Sequence, residues 1–127
     1  MVEVFEISGI RAQECGEKFG FVVNSACRVF VMQENGDIGA GVLMLDGGVV
    51  WIKQVVTNSP FAYYDLLART LLAVVRNMTG MMVRVKKAYE NIIKAIDHTC
   101  FLQFGFVDCG EYLEILSDDI NFCCNQP

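Results

Sequence analysis

Residues 49–68 read VVWIKQVVTNSPFAYYDLLA, and they contain the side chains and backbone most able to hold a ligand. A valine-rich stretch ends at Thr57, Pro60 follows, and an amphipathic run begins. A strand that passes into a helix in this way presents unpaired N–H groups at the positive end of the helix dipole, which suits an anion such as a phosphate. Glycine serves such a cradle best, because a side chain blocks close approach to the backbone. Here the turn into the helix carries Tyr63, Tyr64, Asp65, Leu66, Leu67 and Ala68, with no glycine. Proton-transfer chemistry has few candidates. The strand 49–57 offers Lys53 and Gln54, neither of them a carboxylate poised near neutral pH. Glu111, Tyr112 and Glu114 remain; alternation puts Glu111 with Leu113 on one face and Tyr112 with Glu114 on the other, as in an ordinary solvated strand. Arg84, Lys86 and Lys87, with Lys94 beyond, read as the wet face of a strand and a helix start, or as a small anion patch for a phosphorylated ligand.

Six cysteines, Cys15, Cys27, Cys100, Cys109, Cys123 and Cys124, form no Cys-x-x-Cys pair, and the single His98 has no partner at ligand spacing. No metal is expected, and the cysteines read mostly as small hydrophobes; the vicinal Cys123 and Cys124 in the polar tail read as incidental, with nothing nearby to lower a thiol pKa. The chain has 127 residues, 54% hydrophobic and 20% charged, which predicts one well-filled domain. Residues 1–116 form that domain, and 117–127 read as a polar tail. A net charge of −5 repels phosphate over most of the surface, so nucleic acid is not an expected partner. No apolar run reaches the ~18 residues of a membrane-crossing helix, so no membrane partner is expected either. MVEVFEISGI lacks a basic segment followed by an apolar one, and a cytoplasmic location is expected.

These residues are positioned by elements that can be read in order. Residues 1–7 alternate as a strand, and 11–22 form a weak helix interrupted by glycines. Residues 27–33, 38–45 and 49–57 form an antiparallel meander, turned at Glu34-Asn35-Gly36-Asp37 and at Asp46-Gly47-Gly48. The third strand is apolar on both faces except at Lys53 and Gln54, which places it centrally. Asn58 or Ser59 caps a helix with Pro60 at its first position, and Leu66, Leu67, Leu71, Leu72, Val74 and Val75 give it an apolar stripe. Thr79-Gly80 ends it, and 81–86 return as a strand, making a right-handed parallel crossover. Residues 88–104, with Ile92, Ile93, Ala95 and Ile96, form a second helix, and 105–116 close the sheet. The fold class is α/β (α+β): a mixed sheet with an antiparallel meander, a βαβ crossover, then a C-terminal helix and strand.

This order resembles the GNAT acyltransferase superfamily over roughly residues 1–116, and two local stretches sharpen the likeness. Pro60-Phe61-Ala62 leads into Tyr63-Tyr64-Asp65-Leu66-Leu67-Ala68 at the spacing of the family's Arg/Gln-x-x-Gly-x-Gly/Ala loop. Phe101-Leu102-Gln103-Phe104-Gly105-Phe106 is similar to its aromatic, three residues, Gly-Phe. The resemblance implies acetyl-CoA or another acyl-CoA as cofactor, with the pyrophosphate on residues 63–68 and the pantetheine arm on the backbone of Val55, Val56 and Thr57. It implies a small-molecule or peptide amine as acceptor. The chain departs from the pattern: Tyr63 replaces the basic or amide residue, Leu66 replaces the middle glycine, and only Ala68 conforms. Asp65 is expected to compete for the first-turn amides and to repel phosphate. Phe101 stands where family members often place a proton-donating tyrosine. Two functions follow: an acyl-CoA-dependent N-acyltransferase with an atypical loop, or a catalytically inactive GNAT-fold binding or assembly module. In the second, Phe61, Tyr63 and Tyr64 face a partner or a second copy; a homodimer fits either.

Overall fold

Turn chemistry sets the first half of the sheet. Asn35 and Gly36, at φ of 55° and 123°, fold β2 (Cys27–Gln33) back onto β3 (Asp37–Asp46), and Gly47 at φ 62° turns β3 into β4 (Val49–Thr57). β1 (Glu3–Ile7) precedes them, linked to β2 through α1 (Gly9–Phe19). The computed structural model describes residues 1–58, 61–87 and 99–122. Beyond β4 the chain runs through α2 (Phe61–Arg76), β5 (Met82–Lys86), a single turn α3 (Thr99–Leu102), β6 (Val107–Asp108), β7 (Tyr112–Leu116) and a 3-10 turn at Ser117–Asp119. Of the helix expected over 88–104, only 99–102 is described as helix; Ile92, Ile93, Lys94, Ala95, Ile96 and His98 lie outside the described residues, as do Ser59, Pro60, Cys123 and Cys124. No helix among the described residues is long and apolar enough to cross a membrane.

The strands form one seven-stranded sheet in the order β1-β2-β3-β4-β5-β7-β6, with β4 at its centre. Among the described residues only β4 and β5 pair in parallel, as the crossover through α2 requires. α2 buries Leu67, Leu71, Leu72 and Val75 completely against Phe30, Leu43, Ile52, Val55, Val83 and Val85. The close approach needs Gly41, where an added Cβ stands 2.6 Å from Leu71 Cδ1. On the opposite face α1 packs Ala12 and Cys15 onto Val29, Val31, Ala40 and Val42.

Three expectations change. The first helix begins at Gly9, earlier than 11, and stops at Gly20 in the left-handed region (φ 82°) rather than running to 22. Gly16 does not interrupt it: a Cβ there stands 2.5 Å from the Phe21 carbonyl oxygen, so this glycine admits the returning chain. The extended stretch 105–116 is a hairpin, β6 against β7, because Gly110 (φ 99°) turns it and the Cys109 N–H bonds the Tyr112 carbonyl at 2.9 Å. Finally, packing continues past Leu116. Ser117 is fully buried, its hydroxyl donating to the Met78 carbonyl at 2.6 Å and accepting from the Met81 N–H at 3.2 Å, and Ile120 joins the core.

Candidate functional site

β4 and β5 run together for a few rungs, from Val49↔Met82 to Ile52↔Val85, and then part. β4 continues to Thr57, still paired with β3 on its other edge through Gly39↔Thr57. From Lys53 to Thr57, the edge facing β5 has no strand partner among the described residues. A sheet edge that a neighbouring strand has left is where an extended ligand can add as a short strand. A bulge marks the parting. Leu43 pairs with Ile52 and Val42 with Gln54, so Lys53 is an extra residue in β4. The adjacent polar pair Lys53-Gln54, the exception in an otherwise apolar strand, falls at this bulge.

Of the residues expected to line the arm, Val55 is buried under α2 and Val56 packs toward the α1 cluster. The Thr57 hydroxyl donates to the Ile38 carbonyl at 3.1 Å. What these three residues offer a ligand is main chain. At the helix start the geometry differs from the family loop. Because α2 is helical from Phe61, amides from Asp65 onward are used inside it, and those of Phe61, Ala62 and Tyr63 belong to the first turn, outside the i→i−4 ladder. Leu67 and Ala68 are core residues with no exposed surface, whereas Leu66 faces outward. The Tyr63 hydroxyl donates to Glu34 Oε1 at 3.0 Å, and this bond raises its pKa. Tyr64 packs against the core beneath α2.

The electrostatic expectation for Asp65 needs correction. Its carboxylate accepts from Arg69 Nε at 2.8 Å, one helical turn further on, and from Gln103 Nε2 at 3.4 Å. Arg69 itself lies 4.9 Å over the Phe104 ring. The carboxylate is drawn along the helix rather than back onto the first-turn amides, and a cation opposes its charge at contact distance.

The proton-transfer candidates separate. Phe101 is fully buried, 5.6 Å from Phe106, and has no proton to give. Glu114 is bound to Arg84 at 2.6 Å across the β5–β7 pair, which raises the Arg84 pKa. Lys87 pairs with Asp108 at 2.6 Å. Glu111 lies ahead of β7, its carbonyl accepting from the Lys87 N–H at 3.0 Å, so strand alternation does not govern it. It shares with Tyr112 a cavity of about 430 Å³, which Arg84 and Lys86 also line. Since Ile52, Val83 and Val85 face α2, their neighbours Trp51, Lys53, Arg84 and Lys86 lie on the other face, where this cavity opens. Trp51 was missed in the sequence, although its spacing of two from Lys53 puts both on one face.

No family model matches the chain, and no curated protein matches it in sequence. Solved structures do match in shape. The chain is similar to the structure of a KacTA–DNA complex, with a TM-score of 0.67 and 12% identity, covering 92% of this chain and 94% of that one. It is similar to a protein assigned to the GNAT family of acetyltransferases from Desulfovibrio desulfuricans, with a TM-score of 0.67 and 9% identity over 92% and 99% of the two chains. A variant of the toxin AtaT, bound to acetyl-CoA and to the C-terminus of the antitoxin AtaR, gives a TM-score of 0.62 at 12% identity, covering 92% and 94%. At these identities the likeness speaks for architecture, and with the parted β4–β5 pair it establishes that this chain is built on the GNAT acetyltransferase fold.

Proposed function

We propose that the chain is an acyl-CoA-dependent N-acyltransferase that acts mainly by holding a thioester and an amine together, and that it grips the cofactor chiefly by its pantetheine arm. The observation that carries this reading is the end of the β4–β5 ladder at Ile52↔Val85, beyond which β4 runs on to Thr57 without a strand on that side among the described residues. The arm's amides find main-chain partners there whatever the side chains are. The diphosphate falls to the amides of Phe61, Ala62 and Tyr63, a smaller cradle than a glycine loop gives. When bound, the cofactor supplies an activated acyl group; the protein supplies alignment, which alone accounts for a large part of rate enhancement in two-substrate reactions.

Titration with acetyl-CoA during thermal unfolding tests the reading. Saturation at a hundred times the dissociation constant stabilises the folded chain by ~2.7 kcal/mol, a readable rise in Tm. S-acetylpantetheine, which has the arm without the diphosphate, retains most of the binding energy. No response to millimolar acetyl-CoA sinks the proposal. The buried Phe101 favours a second reading, a binding module without turnover. Acetyl-CoA binding with no thiol released for any amine offered supports that alternative.

A further inference from the structure

We propose that the sheet edge at β1, together with the cavity beside it, is the contact face between two copies of this chain. The inference stands apart from the cofactor reading, since β2 and β3 lie between β1 and β4. β1 closes one end of the sheet, and among the described residues no strand lies beyond it. Its pairing with β2 stops at Ile7↔Val29, although β2 begins earlier, at Cys27. Ser8 and Gly9 turn the chain away into α1, and a cavity of about 570 Å³ opens in the notch. Ile7, Ile10 and Ala12 line it from β1 and α1, and Val23, Cys27 and Val29 from β2 and the stretch before it.

The patch carries both halves of a self-complementary contact. Ile10 lines the cavity yet is 80% exposed, so it projects from the rim instead of filling the space. Val22, next to the lining residue Val23, is 87% exposed, and Phe5, on the same face of β1 as Ile7, is 38% exposed. A twofold contact sets one surface against its own copy, so it needs projection and recess on the same patch. Ile10 and Val22 of one copy then enter the recess of the other, and each copy receives what it gives. Taking these aliphatic side chains out of water drives the association.

Charge favours a second copy at this place over the rest of the surface. The chain carries a net charge of −5, so two copies repel each other over most of their surfaces. Among the described residues the charged side chains lining the cavity are Glu6 and Arg28. They hold each other through two bonds, Arg28 Nε donating to Glu6 Oε2 at 2.8 Å and Nη2 to Oε1 at 2.7 Å. The recess is therefore neutral, and a strongly basic or acidic partner finds no opposite charge in it to answer. The aromatic start of α2 offers a second copy less. The Tyr63 hydroxyl is bound to Glu34 at 3.0 Å, and both Tyr63 and Tyr64 pack against the core.

Analytical ultracentrifugation of the full chain from about 1 μM to about 1 mM tests the proposal, and a dimer is expected within that range. Ile10→Glu and Val22→Glu, both at exposed positions, are expected to weaken it at least about tenfold while leaving the unfolding transition in place. Leu66→Glu, which adds the same charge on the exposed side of α2, is expected to leave the dimer unchanged. Hydrogen exchange of the unaltered chain gives a readout that needs no substitution: amides over 8–12 and 22–28 gain protection as the concentration rises. A chain that stays monomeric throughout, a dimer indifferent to Ile10→Glu and Val22→Glu, or protection gained only elsewhere overturns the proposal.

Discussion

Replacing Asp65 by Asn isolates one electrostatic term at the helix start. The carboxylate sits within about a turn of the first-turn amides of Phe61, Ala62 and Tyr63, and it is held by Arg69 at 2.8 Å. Asn keeps the shape and removes the charge. An i,i+4 ion pair on a helix is worth ~0.3–0.5 kcal/mol, so the variant stays folded. A charge near a helix N-terminus is worth ~0.3–1 kcal/mol, so removing this one tightens acetyl-CoA about two- to fivefold. Calorimetric titration reads the change directly. It shrinks in 1 M salt, where the screening length falls to about 3 Å. S-acetylpantetheine, which carries no diphosphate, shows no gain. An equal gain for both ligands, or none for acetyl-CoA in a folded variant, means the diphosphate does not lie at this helix end.

Further outcomes concern the scaffold. Gly41→Ala drives a methyl to 2.6 Å from Leu71 Cδ1 and is expected to cost ~1–3 kcal/mol in urea unfolding, with Leu71→Val in the same chain recovering part of the loss. Ser117→Ala strips the Met81 N–H and the Met78 carbonyl of their partner and is expected to lower stability by ~1–3 kcal/mol; an unchanged Tm means the 3-10 turn is not docked as described. Arg11 Nη2 donates to Asp37 Oδ1 at 2.7 Å, and Gln33 adds a second bond, so the Asp37 pKa lies below its ordinary 3.8. A depressed carboxylate stabilises the folded state above that ordinary value and loses the contribution as pH falls through the folded one. Arg11→Gln should therefore lower stability near neutral pH and flatten its fall in acid; an acid profile parallel to the parent's argues against the pair.

The meander was legible because its signals are local. Asn35-Gly36 fixes one turn, Asp46-Gly47-Gly48 the next, and alternation between them fixes which residues face the core. The apolar stripe of α2 was equally plain, down to the full burial of Leu67, Leu71 and Leu72. What escaped reading depends on partners distant in sequence. Ser117 looks like the start of a polar tail until Met78 and Met81 arrive to bond it, and Trp51 looks like one more core residue until Arg84 and Tyr112 frame it. Glu111 was set on a strand that begins one residue later. The parting of β4 and β5 left a mark, Lys53-Gln54, but adjacent polar residues do not by themselves distinguish a bulge from an exposed turn.

Residues 61–68 show how one sequence change alters both structure and chemistry. Resemblance placed a loop at 63–68, while Pro60 and the leucines placed a helix across the same positions. The helix prevailed, since with Leu66 and Leu67 in place of a glycine-rich turn nothing there stops it from starting at Phe61. Extending the helix uses up the amides from Asp65 onward, which a loop would have left to an anion. The same extension brings Asp65 and Arg69 one turn apart and so joins them at 2.8 Å. Loss of the glycine therefore removes donors and recruits a cation in a single step. Neither change reaches β4 beyond Ile52, where its ladder with β5 has stopped at Val85. A ligand held along that edge is insensitive to the substitutions at 63–68, and this is the physical reason for placing the grip on the arm rather than on the phosphates.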